Sequence, residues 1–97
     1  MSLAPEEFLK NYINNPSPTG FEAKGQKLWL DYIKPFTDAW DLDDYGTVYA
    51  TINPGQDYQV VIEAHADEIS WFVNYITDNG LIHVIRNGGS DHQIAPA

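Results

Sequence analysis

No cysteine occurs in the 97 residues, which removes disulfide frameworks, thiolate zinc sites and thiol nucleophiles from the chemistry open to this chain. Positive charge is nearly as scarce. Five Lys and Arg stand against fourteen Asp and Glu, and the formal charge of -9 repels phosphate backbones and anionic membrane surfaces alike, so nucleic acid and membrane are set aside as partners. The acids are scattered from Glu6 to Asp91 instead of forming a tail, the pattern of a solvated surface. Long apolar runs are missing too. No segment approaches the roughly 20 residues that span a bilayer, and Met1-Ser2-Leu3 leads into no basic stretch followed by an apolar run, so a cytoplasmic protein is expected. What remains is 43% hydrophobic and 13% aromatic, too apolar for a disordered chain and short enough for one domain or part of one.

Periodicity gives the order of elements. Pro5, Glu6 and Glu7 suit a helix N-terminus, and Phe8, Leu9, Tyr12 and Ile13 share a stripe, so a first helix is expected over residues 5–13, ended by Asn14-Asn15-Pro16. Thr19 to Glu22 reads as a capping box for a second helix. The apolar face of that helix (Phe21, Gly25, Leu28, Trp29, Tyr32, Ile33) is expected to cover a sheet until Pro35 ends it. From Thr37 the period shifts toward two, giving a pair of strands joined by Asp43-Asp44-Tyr45-Gly46. After the turn Asn53-Pro54-Gly55-Gln56, residues 58–64 carry the unbroken run Val60-Val61-Ile62 expected of a strand buried on both faces, on which Phe21, Leu28, Trp29 and Ile33 of the second helix are expected to pack. Residues 69–76 and 81–85 complete a hairpin about Asp78-Asn79-Gly80. Beyond Gly88-Gly89 the chain turns polar without a closing element. Two helices followed by strands predict a partial mixed α/β domain, the amino-terminal part of a larger one.

The segment Glu63-Ala64-His65-Ala66-Asp67-Glu68 is the main candidate for chemistry, placed at the carboxyl end of the expected buried strand, where ligands of open α/β sheets gather. A neutral imidazole there binds zinc or cobalt when its other nitrogen has an acceptor, and Asp67, two residues on, projects to the same side of an extended backbone. The same triplet also occurs as an ordinary histidine–carboxylate contact, and no second histidine or acid stands at a diagnostic metal spacing. His83 alternates with Ile82 and Val84 as a solvent-facing strand residue, and His92 falls in the polar end.

Several segments in order carry a resemblance. Pro16-Ser17-Pro18-Thr19-Gly20-Phe21-Glu22 precedes a helix and Asp43-Asp44-Tyr45-Gly46-Thr47 precedes a strand; Ala64-His65-Ala66-Asp67-Glu68-Ile69 follows a strand and Gly88-Gly89 follows a hairpin. Together these resemble the glutamyl, or deblocking, aminopeptidases of metallopeptidase family forty-two, over residues 8–89. Thr47 stands where that family usually has asparagine, and Ser70 where it usually has glycine. The resemblance implies a two-metal aminopeptidase that removes the first residue of peptide substrates and forms homo-oligomers. It implies two divalent ions, zinc or cobalt, with His65 as the first metal ligand and Asp67 as the catalytic acid orienting it. The remaining ligands and the general base would lie beyond Ala97, and residues 86–97 would approach an inserted β-rich dimerisation domain. Other two-metal amidohydrolases and carboxypeptidases share a His-x-Asp after a strand. An inert α/β fragment or interaction module is the reading from a different class, and the missing ligands favour it.

Overall fold

A computed structural model of the chain describes residues 3–91, 93 and 94. Helix α1 covers Pro5–Ile13, with Pro5 in its first turn beside Glu6 and Glu7, where a missing amide and negative charge are both tolerated. Asn14 ends it, donating its side-chain amide to the Lys10 carbonyl. Helix α2 runs over Ala23–Ile33 and passes into a short 3-10 turn, Lys34–Phe36, at Pro35. Strands β1 (Ala39–Leu42) and β2 (Val48–Thr51) form an antiparallel pair, with Ala39 opposite Thr51 and Leu42 opposite Val48. A second antiparallel pair joins β3 (Ser70–Ile76) to β4 (Ile82–Asn87), with an irregularity at Asn74 between the Val73–Val84 and Tyr75–His83 partners. The two pairs are separate two-stranded sheets, so the mixed α/β character expected from the sequence is present in partial form.

Three expectations are corrected. Residues 58–64 form no strand among the described residues. Val60, Val61 and Ile62 are 73%, 81% and 94% exposed instead of covered on both faces. A strand exists only through its neighbours' hydrogen bonds, and none of the described residues pairs with this stretch. In consequence α2 does not pack on it. The helix lies against α1 and β2 instead, with the Phe8 and Tyr32 rings stacked at 3.9 Å between the helices. Phe21 precedes α2 and is mostly exposed, and Trp29 is half-buried. Nor does the capping box form. The N-cap of α2 is Glu22, whose carboxylate accepts from the Gly20 amide at 2.6 Å, and the Thr19 hydroxyl is engaged elsewhere.

The hydrophobic core is correspondingly thin. Among the described residues Leu30 is the single buried large apolar side chain. The radius of gyration is 17.9 Å, where a compact domain of this length has about 12–13 Å. Trp71, Phe72, Val73, Tyr75 and Ile85 stand exposed on the β3–β4 hairpin. Among the described residues no helix is long and apolar enough to cross a membrane.

Candidate metal centre

The segment carrying His65 is positioned by the loop between α1 and α2 and not by a strand of its own. Ser17, buried, donates its hydroxyl to the Ala66 carbonyl at 2.8 Å and its amide to Glu68 Oε1 at 2.9 Å. The Glu68 amide returns a bond to the Ser17 carbonyl at 2.9 Å, closing a parallel bridge between Pro18 and Glu68. Glu68, without a clear role in the sequence, therefore ties the segment to the loop. Gly25 permits the arrangement: a Cβ there would lie 3.2 Å from Ser17 Oγ and 3.4 Å from Asn15 Nδ2. Glycine in a helix interior costs about 1 kcal/mol relative to alanine, and the close seating of the loop on α2 is the physical reason for it at this place.

His65 and Asp67 meet. Nδ1 of His65 lies 2.9 Å from the Asp67 carbonyl oxygen and 3.0 Å from Asp67 Oδ1. Both partners accept only, so Nδ1 carries the proton and the lone pair of the neutral ring resides on Nε2. Nε2 makes no hydrogen bond among the described residues, and the His65 side chain is 85% exposed. The other carboxylate oxygen, Asp67 Oδ2, accepts from the Thr19 hydroxyl at 2.7 Å. That hydroxyl, and after it the His65 imidazole, holds the Asp67 carboxyl below the ordinary carboxylate range. Asp67 is therefore an anion at neutral pH, with one oxygen committed to each neighbour.

His65 and Asp67 line an open cleft of about 480 Å³, whose other walls include Glu22, Gln26, Asp44 and Tyr45. Gln26 donates to the Gly46 carbonyl at 2.9 Å, fixing the β1–β2 turn against α2. Within the turn Asp43 Oδ1 accepts from the Tyr45 and Thr47 amides at 2.9 and 2.8 Å, so Thr47 contributes its backbone here. Ser70 accepts from Asn87 Nδ2 at 3.1 Å, and the same amide donates to the Thr19 carbonyl at 2.9 Å. The hydroxyl of Ser70 thus joins the network that steadies the Thr19 loop.

A metal fits one end of this arrangement. An imidazole whose Nδ1 is held by a carboxylate and whose Nε2 is free is the donor geometry of metal-binding histidines. Among the described residues no three His, Cys, Asp or Glu side chains converge as a metal-binding group, so His65 stands there as a single candidate donor and not as part of a complete shell. His83 lies away from this cluster, facing Tyr75 across the β3–β4 pair, and His92 lies outside the described residues. Sequence reasoning missed the part played by Thr19. Its signal was the Thr-x-x-Glu spacing, which equally describes a helix cap.

The profile of the M42 glutamyl aminopeptidase family matches residues 46–97, more than half of the chain and including the His65–Asp67 segment. A lysyl aminopeptidase of Pyrococcus furiosus is 33% identical over 84 residues, 86% of this chain and 24% of the relative. A protein of Acetivibrio thermocellus named as an aminopeptidase is 28% identical over 83 residues, 86% of this chain and 25% of that relative. The chain thus spans about a quarter of the length of these two relatives.

Proposed function

The chain belongs to the M42 glutamyl aminopeptidase family, and on that premise we propose that it works as part of a metal-dependent aminopeptidase that hydrolyses the first peptide bond of peptides with a free amino terminus. The observation that carries this reading is the His65 ring, held through Nδ1 by Asp67 and free at Nε2 beside the cleft. His65 is the side chain that would hold one of two divalent ions, zinc or cobalt. When bound, such ions polarise a carbonyl and lower the pKa of water toward neutrality. The contribution of this chain is to fix the tautomer and direction of the ligand. Asp67 does both, because its charge makes the imidazole a better donor while its backbone carbonyl holds the same proton.

The acids of the cleft, Glu22, Asp44 and Asp67, suit a cationic amino terminus as well as a metal. The remaining ligands and the general base belong, on this reading, to parts of the protein outside these 97 residues, as does a β-rich dimerisation domain approached by residues 86–97. Assembly into a homo-oligomer and a cytoplasmic setting complete the proposal. The thin core and the exposed hairpin face accord with a chain that needs further surfaces to be stable.

The test uses an aminoacyl chromogenic amide, its N-acylated counterpart and a peptide with a free carboxyl end. The whole protein should release the chromogenic amine in a chelator-sensitive manner, spare the N-acylated compound, and leave the carboxyl-terminal residue in place. The 97-residue chain alone should release nothing. Cleavage that ignores the chelator, or that prefers the carboxyl-terminal bond, contradicts the proposal.

A further inference from the structure

We infer that Thr19 is a positioning residue of the metal centre, its hydroxyl locking the Asp67 carboxylate in the orientation that holds His65; the inference rests on the metal-binding reading above. A carboxylate held at one oxygen retains rotation about its terminal torsion, which is broad and roughly two-fold. Asp67 is held at both: Oδ1 on His65 Nδ1 at 3.0 Å, and Oδ2 on Thr19 Oγ1 at 2.7 Å. The second contact therefore sets where the first one points.

Thr19 is itself anchored on several sides. Its amide donates to the Glu68 carbonyl at 3.3 Å, its carbonyl accepts from Asn87 Nδ2 at 2.9 Å, and the Phe21 amide closes a turn on the Pro18 carbonyl at 2.8 Å. Pro18 before it has a restricted φ, and Gly20 after it takes a φ of +90°, a conformation that L side chains rarely adopt. The ordinary role for this threonine, capping α2, is already excluded because the helix starts at Ala23 with Glu22 as its N-cap. Of the two hydroxyls on this anchored loop, Ser17 meets the Ala66 carbonyl and Thr19 meets the Asp67 carboxylate.

The comparison of Thr19→Val, which keeps the shape and loses the hydroxyl, with Thr19→Ser, which keeps the hydroxyl, tests this in the whole protein. The readouts are zinc affinity by chelator competition and the His65 tautomer by nitrogen NMR on metal-free samples. An outer-shell partner typically costs 10- to 100-fold in affinity, and a residue one step further out should cost less, about 3- to 10-fold for Thr19→Val. The NMR spectrum should show a rising share of the Nε2–H tautomer in Thr19→Val, and Thr19→Ser should restore both readouts.

His65→Ala is the control. If it binds zinc as the wild type does, the metal reading itself fails. If it loses zinc while Thr19→Val keeps wild-type affinity and tautomer, the Thr19 inference alone is overturned. A loss of thermal stability in Thr19→Val without change in either readout makes the contact a loop staple and also overturns it. Should Thr19→Val not fold, Thr19→Ala, which adds no bulk, is read in the same way. Failure of both to fold assigns the hydroxyl to the fold and overturns the inference.

Discussion

Replacing Asp67 by asparagine removes one charge from the centre and little else, which makes its expected effect calculable. His65 Nδ1 has two acceptors on this residue, the backbone carbonyl at 2.9 Å and Oδ1 at 3.0 Å. The carbonyl is untouched by the substitution, and the amide oxygen of asparagine can take the place of Oδ1. Its NH2 group then faces Thr19, whose hydroxyl, a donor to Oδ2 in the native protein, turns to accept. The tautomer and the loop are therefore retained, and what disappears is the negative charge that strengthens the imidazole as a donor. Hydrogen bonds to an ionised partner are roughly twice as strong as neutral ones. Outer-shell substitutions span about 10- to 100-fold in metal affinity, and with both hydrogen bonds conserved Asp67→Asn belongs at the lower end, about tenfold or about 1.4 kcal/mol. Competition with a chelator of known affinity measures the loss in the whole protein, and thermal unfolding of the metal-free samples should show stability changed by less than about 0.5 kcal/mol. An affinity unchanged within about twofold would refute the charge argument. A loss far beyond about 100-fold would show that Asp67 touches the metal directly and is not acting through the imidazole.

Two further outcomes follow from the fold. Leu30→Ala should cost about 2 kcal/mol, the lower end for a buried leucine because the core around it is thin, and thermal unfolding of the whole protein that shows no loss would place Leu30 outside any core. Asp43, held below the ordinary carboxylate range chiefly by the Thr47 amide, should stabilise its turn fully above that range and lose the contribution as pH falls through its lowered value. An acid titration followed by carboxyl NMR checks this, and titration of Asp43 at or above about 3.9 would contradict it.

Local chemistry was legible where it acts alone. The bounds of α1 follow from Pro5, the two glutamates and Asn14-Asn15-Pro16, and the β3–β4 hairpin follows from alternation about Asp78-Asn79-Gly80, with Gly80 at a φ of +86°. Residues 58–64 were misread because three consecutive apolar residues report surroundings that bury both faces, whereas a strand needs hydrogen-bonding neighbours that the described residues do not supply. The pairing of His65 with Asp67 was visible in their spacing, since residues two apart share a face. That the loop before α2 would carry the segment was not visible. Ser17, Thr19 and Asn87 reach it across 49, 48 and 68 positions of sequence or tie to one another over that distance, and local pattern is silent about such contacts. Thr19 shows the ambiguity most clearly: one hydroxyl three residues before a glutamate suits a helix cap, and only the path of the chain decides that it meets a carboxylate instead.

Whether His65 holds a metal, as proposed, is decided by the metal content of His65→Ala. Elemental analysis of the whole protein, prepared with zinc or cobalt in excess and then desalted, should show one equivalent per protomer fewer than the wild type, together with loss of aminopeptidase turnover. Full metal occupancy with normal turnover in His65→Ala would show that His65 holds no metal.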